Sequence, residues 1–413
     1  MVEPALPPAP TRIMGLDVTR GFAVMGILAM NIIAFAMPEN AYITPVSWGG
    51  TAPADMAEWA IAFIFFDSKM RGLFSILFGA STLLVIQSAI AAGRSAERTH
   101  YGRMVTLVLF GLAHFYLIWD GDILFLYAVC GLFLFLFRNL SVSALAITGW
   151  ALVALNWLLM VGPLILLRVG AATGQAKMQE VMKDLSESFA HGSAESVADV
   201  TLYSGSYAHI VGAKLTDSLF DPLTEVLGYG TETLGLMLIG MALYKSGMLR
   251  GEWSLDRLDR WRNRCLAIGA AGALAFLALQ IGSGMDPWVM LTTVLGWSVP
   301  TNIIMSIGYA ALFMGLAQRF GHSAFIARVA AAGRAAFSNY LGTSIVMTTI
   351  FYGYGLGLYG EVSRASLVPF VIGAWVIMLL WSKPWLDRFR YGPMEWLWRS
   401  MARGQWQPMR RAT

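Results

Sequence analysis

The chain has 413 residues, of which 57% are hydrophobic and only 13% are charged, and its mean hydropathy is +0.61. Soluble domains carry roughly a quarter charged residues, so this composition excludes an ordinary water-soluble domain and indicates lipid as the main solvent. The net charge of +4 is small and its basic residues are scattered, which argues against nucleic acid as a partner.

Apolar runs long enough to cross a bilayer recur along the chain, since a spanning helix needs roughly 20 such residues. A proline-rich tail is predicted over 1–10, and the first run is interpreted as an uncleaved helix because further spans follow it. We therefore predict an all-α, polytopic integral membrane protein with about ten transmembrane helices. The predicted spans are 16–37, 70–91, 103–119, 122–138, 143–168, 223–247, 264–283, 289–317, 335–356 and 367–383.

The basic residues predict an orientation, because Lys and Arg accumulate in cytoplasmic loops. Arginines cluster in every second connection, whereas the connections 38–58, 120–122 and 284–288 contain none. Both termini are therefore predicted to lie in the cytoplasm. The basic clusters are Arg94, Arg98 and Arg103; Arg138; Arg250 to Arg264; Arg319, Arg328 and Arg334; and Arg388 to Arg411.

One predicted span has an irregular start. A continuous helix over 56–91 would be about 53 Å long, against a hydrocarbon core of about 30 Å. We therefore interpret 56–66 as an interfacial or re-entrant segment, with the true span beginning near Met70. Lys69 and Arg71 are then expected at the outer rim, where they could bind an anionic substrate group or simply extend toward water.

A long polar connection over 169–222 is predicted on the external side. Apolar residues such as Met178 and Leu185 recur there at helical spacing, which predicts an amphipathic helix on the membrane or over a cavity. A plain surface helix is an equal alternative. The connection divides the chain into an N-terminal membrane region, 1–168, and a C-terminal one, 223–413.

His114 is the strongest catalytic candidate, because ionisable groups inside a membrane are costly and mark functional sites. A short turn follows it, and Asp122 in that turn could fold back toward the imidazole. A histidine oriented by a carboxylate is the usual arrangement of a general base. The structural alternative is that Asp122 only caps the next helix and that His114 bonds the backbone.

Other polar residues in the spans are weaker candidates. Asn31 is a lone amide in the first helix, where it could serve the site or hold helices together. Glu232 is the deepest carboxylate of the sixth span and a candidate substrate ligand. Asp17 and Arg20, one turn apart, are predicted to pair locally.

Several classes of site are not predicted. Cys130 and Cys265 lie in separate apolar runs and are expected to be core residues rather than a metal or disulfide pair. Phosphate-binding, dinucleotide-binding and zinc-protease motifs do not occur. The aromatic and basic tail around Trp398 and Arg399 is interpreted as an anchor at the cytoplasmic surface.

Several short motifs form a recognisable set. They are Asp17, Arg20, Gly21 and Asn31; Leu77 to Gly79; His114, Trp119 and Gly121 to Leu124; Gly333-Arg334; Ser338 to Leu341; Phe351 to Leu358; and Gly392 to Arg399. With these motifs the chain resembles the DUF418, or YeiB-like, family of bacterial membrane proteins over nearly its whole length. The resemblance implies a location in the bacterial inner membrane.

The family is in turn similar to transmembrane acyltransferases of the heparan-α-glucosaminide N-acetyltransferase type. Those enzymes move an acyl group from cytosolic acyl-CoA to an acceptor across the membrane. Their histidine precedes a Ser-Trp pair, whereas here Ser47-Trp48 follows Val46. If the chain is an acyltransferase, as the resemblance implies, either His114 supplies the base from another helix or the chemistry differs.

The leading hypothesis gives these residues roles in acyl transfer to a small-molecule or glycan acceptor. His114 would be the base, Asp122 would orient it and Asn31 would hold the acyl carbonyl. Arg20 and Arg103 would contact the phosphates of acyl-CoA, which is expected as a co-substrate (acetyl-CoA, for example) rather than as a tightly bound cofactor. A homo-oligomer is compatible with the sequence.

Two alternatives remain open at this point. A transporter or exporter of a small metabolite would use His114, Asp122 and Glu232 as proton or substrate groups, although no internal repeat is visible. A non-catalytic membrane protein would instead use 169–222 to bind a partner.

Overall fold

The computed structural model describes residues 12–411, and this part of the chain is helical without any β-strand. The tail predicted over 1–10 lies outside the described residues. The helices are α1 (Met14–Ala36), α2 (Asn40–Ile43), α3 (Pro53–Phe65), α4 (Lys69–Ala91), α5 (Ala96–Leu117), α6 (Leu124–Leu134), α7 (Val142–Ala172), α8 (Ala176–Ser188), α9 (Ala194–Tyr203), α10 (Tyr207–Thr216), α11 (Asp221–Lys245), α12 (Leu255–Gly282), α13 (Pro287–Thr292), α14 (Val299–Phe320), α15 (Ala324–Arg334), α16 (Ala336–Phe351), α17 (Val368–Arg388) and α18 (Pro393–Arg403).

Seven helical segments in 12–411 are long and apolar enough to cross a bilayer, so the chain is a multi-pass membrane protein. Helices also occur at the other predicted spans, but these are less apolar or shorter. In α5, His100, Arg103 and His114 lower the hydropathy, whereas α6 and α16 have 11 and 16 residues. The seven segments are Met14–Ala36, Pro53–Ala91, Val142–Ala172, Asp221–Lys245, Leu255–Gly282, Val299–Phe320 and Ala365–Arg388.

Helix α1 forms the centre of the bundle. Nearly all of its residues are buried, and it packs against α4, α14, α15 and α16. Helix α11 packs against α4, α6 and α7, while α12 packs mainly against α14. The peripheral α7 instead exposes large apolar side chains, such as Leu158 at 60% and Leu166 at 70%. Such faces are the natural contacts of lipid chains.

The helix is interrupted at the irregular start of the second predicted span. Helix α3 ends at Phe65, Ser68 adopts a left-handed conformation with φ of 58°, and α4 begins at Lys69. The interruption predicted before Met70 agrees with this helix boundary. The Lys69 side chain does not extend toward water as predicted, because it is 1% exposed and its ammonium group donates to the carbonyls of Phe63 and Asp67 at 2.5 and 3.1 Å.

The polar connection over 169–222 consists of three short helices, α8 to α10, and the first corresponds to the predicted amphipathic helix. The connection is fastened to the loop after α1. The backbone N–H of Glu39 donates to Asp199 at 3.0 Å, and the amide of Asn40 donates to the Ser188 carbonyl at 2.8 Å. The connection is therefore packed onto the bundle.

Candidate functional site

A tight hairpin between α5 and α6 builds the centre of the site. Gly111 on α5 lies against the first turn of α6, since a Cβ atom there would lie 2.4 Å from the backbone nitrogen of Phe125. Such a close approach is possible only because glycine has no side chain. Asp122, just before α6, is thereby brought back over α5, and its Oδ1 lies 2.8 Å from Nδ1 of His114.

The His114 imidazole has one bonded and one free nitrogen. A carboxylate only accepts hydrogen bonds, so Nδ1 donates to Asp122 and Nε2 keeps a free electron pair in the neutral ring. Nε2 is buried and has no hydrogen-bond partner within 12–411. The other oxygen of Asp122 accepts from the backbone N–H of Phe125 at 2.8 Å. Asp122 therefore caps α6 and orients His114 at the same time.

A cavity of about 500 Å³, here called the basic cavity, opens on one side of this pair. Six arginines and two carboxylates line it, which leaves an excess of positive charge. The lining comes from α1, α4, α5 and α6 and from the segment that runs from α15 to α18. Its charged residues are Arg12, Arg20, Arg103, Arg334, Arg390, Arg399, Asp17 and Glu395.

Both carboxylates of the basic cavity are already bonded. Asp17 pairs with Arg12 at 2.6 Å and with Arg20 at 3.3 Å, as the sequence predicts for the second pair. Glu395 accepts from the backbone N–H groups of Phe337 and Ser338 at the start of α16. The remaining arginines have no acidic partner in the described chain.

The arginines of the basic cavity are held by aromatic and polar neighbours. The Arg103 guanidinium lies 4.0 Å from the centre of the Trp398 ring, and Arg20 donates to Ser81 at 2.8 Å. Burial lowers the pKa of Arg399, with a smaller contribution from Arg20. Stacked and partly buried guanidinium groups of this kind are suited to phosphate. The tail around Trp398 thus forms a wall of the cavity, beyond its predicted role as an anchor.

A second cavity, of about 660 Å³ and here called the acidic cavity, opens on the other side of the pair. Arg71 is the one cationic residue among its described lining residues, and the connection 169–222 contributes Phe189, Asp199 and Tyr203. That connection therefore covers part of the cavity. Its acidic lining residues are Glu39, Asp120, Asp122, Asp199, Asp221, Glu225 and Glu232.

The acidic cavity also contains the other polar candidates from the spans. Arg71 pairs with Glu232 at 3.0 Å, so two side chains predicted separately as substrate ligands form one ion pair. Asn31 is 8% exposed and lines the cavity, and its side-chain amide makes no hydrogen bond among the described residues. Lys69 does not line either cavity.

One layer of side chains separates the two cavities. Ile123 lines both of them, and the His114–Asp122 pair lies beside it. The ring of Tyr340, which lines the basic cavity, lies 5.2 Å from the His114 ring, while Trp119, which lines the acidic cavity, lies 6.2 Å from it. His114 itself lines neither cavity, and its imidazole lies between Tyr340 on one side and Trp119 on the other.

The structure adds residues that sequence reasoning did not select for the site. Tyr340 and Arg399 are the clearest cases, and both lie in the segments that carry the family resemblance. Within 12–411, no group of three or more His, Cys, Asp or Glu side chains converges closely enough to hold a metal ion.

Comparison with known proteins identifies the family. Residues 243–405 match the family model described as "Protein of unknown function (DUF418)". The chain is 35% identical over 395 residues to the uncharacterized protein YeiB of Escherichia coli K12, covering 94% of this chain and 95% of that protein. It is 32% identical over 421 residues to the uncharacterized protein YxaH of Bacillus subtilis 168, covering 97% of each. The chain therefore belongs to the DUF418 family of membrane proteins.

Proposed function

We propose that this protein is a transmembrane acyltransferase, which moves an acyl group from cytosolic acyl-CoA to an acceptor on the other face of the bacterial inner membrane. The observation that carries the proposal is the buried His114–Asp122 pair, with its free Nε2, in the layer between two oppositely charged cavities. A transferase that works across a membrane needs this arrangement, because its two substrates arrive from opposite sides.

The proposed topology has about ten membrane helices with both termini in the cytoplasm. Helices α5, α6 and α16 complete the set; α6 and α16 are shorter than the seven segments, and the polar residues of α5 are compatible with a wall that faces a protein cavity rather than lipid. The arginines of the basic cavity come from connections that the loop-charge rule assigns to one side. This grouping supports the cytoplasmic assignment of the basic cavity.

The basic cavity would hold acyl-CoA. The pyrophosphate and the 3′-phosphate of CoA match arginines that have no carboxylate partner in the described chain, Arg103 and Arg399 among them. Arg20 would add a third contact. The apolar wall formed by Leu107, Ile123 and neighbouring residues leads from these arginines toward His114, which suits the pantetheine arm and the acyl group.

The chemistry follows from the free nitrogen of His114. Nε2 takes a proton from the acceptor hydroxyl or amine as that group attacks the thioester carbonyl, and Asp122 stabilises the imidazolium that forms. The carbon–sulfur bond breaks, and the proton passes from His114 to the departing CoA thiolate. The products are the acylated acceptor and CoA. The Asn31 amide N–H would donate to the carbonyl oxygen in the transition state.

The test is the transfer of label from acetyl-CoA by purified protein in lipid vesicles. Replacement His114→Asn should reduce the transfer rate by about 100-fold or more, since general-base catalysis contributes at least that much. The matched control is His322→Asn, because His322 is exposed and lies outside both cavities. Transfer by His114→Asn at the rate of the control would overturn the proposal.

Transport of a small metabolite is the second candidate function. It is favoured by the same thin layer, because two cavities that approach from opposite faces also occur in proteins with alternating access. The assay that separates the two uses the same vesicles. Acceptor-dependent release of free CoA supports transfer, whereas uptake of an unmodified solute that stops when the proton gradient is removed supports transport.

A further inference from the structure

The acidic cavity contains more negative charge than its own cations balance. Glu232 is paired with Arg71, Asp122 is bonded to His114, and Asp120 lies 3.8 Å from Lys214. The other four carboxylates that line the cavity have no cationic partner in the described chain. They are Glu39, Asp199, Asp221 and Glu225.

These four carboxylates come from separate elements of the fold. Glu39 lies in the loop after α1, Asp199 on α9, and Asp221 and Glu225 on the first turns of α11. Burial, followed by repulsion from Asp199 and Asp120, raises the pKa of Glu39. Burial, with repulsion from Asp120, raises the pKa of Asp199, although the hydrogen bond from the backbone N–H of Glu39 opposes this shift. The carboxylates are thus close enough to repel one another, and a bound cation would relieve that repulsion.

Their spacing suits an extended cation rather than a single metal ion. A divalent ion needs several oxygen ligands at one point, and no group of three or more candidate ligands in 12–411 converges in this way. The 660 Å³ of the cavity provides room for an organic molecule instead.

A separate observation also indicates a ligand in this cavity. The Asn31 side chain is more than nine-tenths buried and lines the cavity without any hydrogen bond in the described chain. Its polar atoms are not enclosed by protein, so they face the space of the cavity, where a ligand can bond them. Its Oδ1 could accept a hydrogen bond from an amine, while its N–H group remains available for the acyl carbonyl.

We propose that the acceptor is an oligoamine, an organic molecule with two or more ammonium groups, bound by Glu39, Asp199, Asp221 and Glu225. This inference rests on the proposed acyl transfer and names its acceptor class. One ammonium group is held beside the His114–Asp122 layer as the nucleophile, and the others contact the remaining carboxylates.

The transfer step balances for an amine. The ammonium group first releases one proton to water, and the neutral nitrogen attacks the thioester carbonyl of acyl-CoA. The second proton passes through Nε2 of His114 to the leaving thiolate as the carbon–sulfur bond breaks. The products are an amide, CoA with its free thiol, and one proton in solution.

The experiment measures binding to the full-length protein in lipid nanodiscs, without acyl-CoA. The probes are spermidine, its fully N-acetylated form and butylamine. Spermidine should bind at least about tenfold more tightly than butylamine, because each further ion pair adds affinity, and the acetylated form should not bind. Equal affinities for spermidine and butylamine would overturn the inference.

Variants of the cavity carboxylates test where spermidine binds. Double replacement of Glu39 and Glu225 by Gln should weaken spermidine binding at least about tenfold. The control Glu187→Gln removes a carboxylate that is exposed and lies outside the cavity, and it should leave binding unchanged. Spermidine affinity that is unchanged in the double variant overturns the inference.

The result of the spermidine-binding experiment can be distinguished from the result of the acyl-transfer assay. Binding that depends on the cavity carboxylates, without any transfer from acetyl-CoA, supports the oligoamine site and overturns the proposed function. Transfer to a hydroxyl acceptor, without spermidine binding, supports the proposed function and overturns the oligoamine site.

Discussion

The basic and acidic cavities are similar in size but differ in charge and in construction. The basic cavity is lined by six arginines, and the acidic cavity by seven carboxylates with a single arginine. Helix α18 forms one wall of the first, whereas the connection 169–222 covers part of the second. Each cavity therefore attracts ligands that the other repels, and the sidedness of the protein is built into its electrostatics.

The largest expected effect follows from reversing the charge of the basic cavity. The double change Arg103→Glu with Arg399→Glu should weaken CoA binding by about 100-fold or more, since each charged hydrogen bond contributes about 1.5–3 kcal/mol. Calorimetry with CoA in nanodiscs measures this.

The matched control for that double variant is the same change at Arg410 and Arg411, which do not line the cavity. The control should bind CoA as the wild type does. If the Arg103/Arg399 variant loses as much affinity for spermidine as for CoA, the two cavities do not bind different ligands as proposed.

A substitution in the layer between the cavities should lower the rate of acyl transfer without weakening the binding of CoA. Replacement Asp122→Asn retains the size of the side chain but removes the carboxylate that orients His114. We expect transfer to fall about 10- to 100-fold with an unchanged dissociation constant for CoA, because Asp122 does not line the basic cavity. A loss of binding without a loss of turnover would contradict the role assigned to Asp122.

The hairpin that brings the pair together should be sensitive to a single methyl group. Gly111→Ala would place a Cβ atom 2.4 Å from the Phe125 backbone nitrogen and should destabilise the protein by about 1–3 kcal/mol. Thermal unfolding in detergent measures the change. Gly162→Ala is the control, because a Cβ there meets no atom within 4 Å; equal melting temperatures would argue against a tight α5–α6 contact.

The smallest expected effect concerns pH and the acidic cavity. Because the pKa values of Glu39 and Asp199 are raised in the folded protein, the folded state binds protons more tightly than the unfolded state. Their contribution to stability therefore increases as the pH falls through the raised pKa values toward the ordinary carboxyl range. The shift in melting temperature over this range should be smaller in Asp199→Asn than in the wild type, and an equal shift would contradict it.

The sequence predicted the central pair but only part of its surroundings. His114 and Asp122 are eight residues apart on either side of a tight turn, so a local argument could bring them together. The wall formed by α18 could not be found in this way, because the bond from Trp398 to the Arg103 carbonyl joins residues 295 positions apart. Tyr340 lies in a motif that carries the family resemblance, but it was not predicted as a site residue, because its contact with His114 also joins residues far apart in the sequence.

Lys69 shows a second limit of sequence reasoning. A lysine at a helix start near the membrane surface normally extends toward water, and this expectation placed it at the rim. The break between α3 and α4 instead exposes backbone carbonyls inside the protein, and the ammonium group bonds to them. The pattern of residue types in the sequence does not reveal backbone carbonyls that are left unpaired where one helix ends and the next begins.

The position of α18 has a consequence for the synthesis of the protein. Helix Pro393–Arg403 closes the basic cavity against α5, whose contacting residue is translated 295 positions before its partner on α18. The other helices that line the cavity precede α18 in the chain, so they lack this wall until α18 has been made. A nascent chain that has not been translated through α18 therefore cannot present the complete arginine cluster.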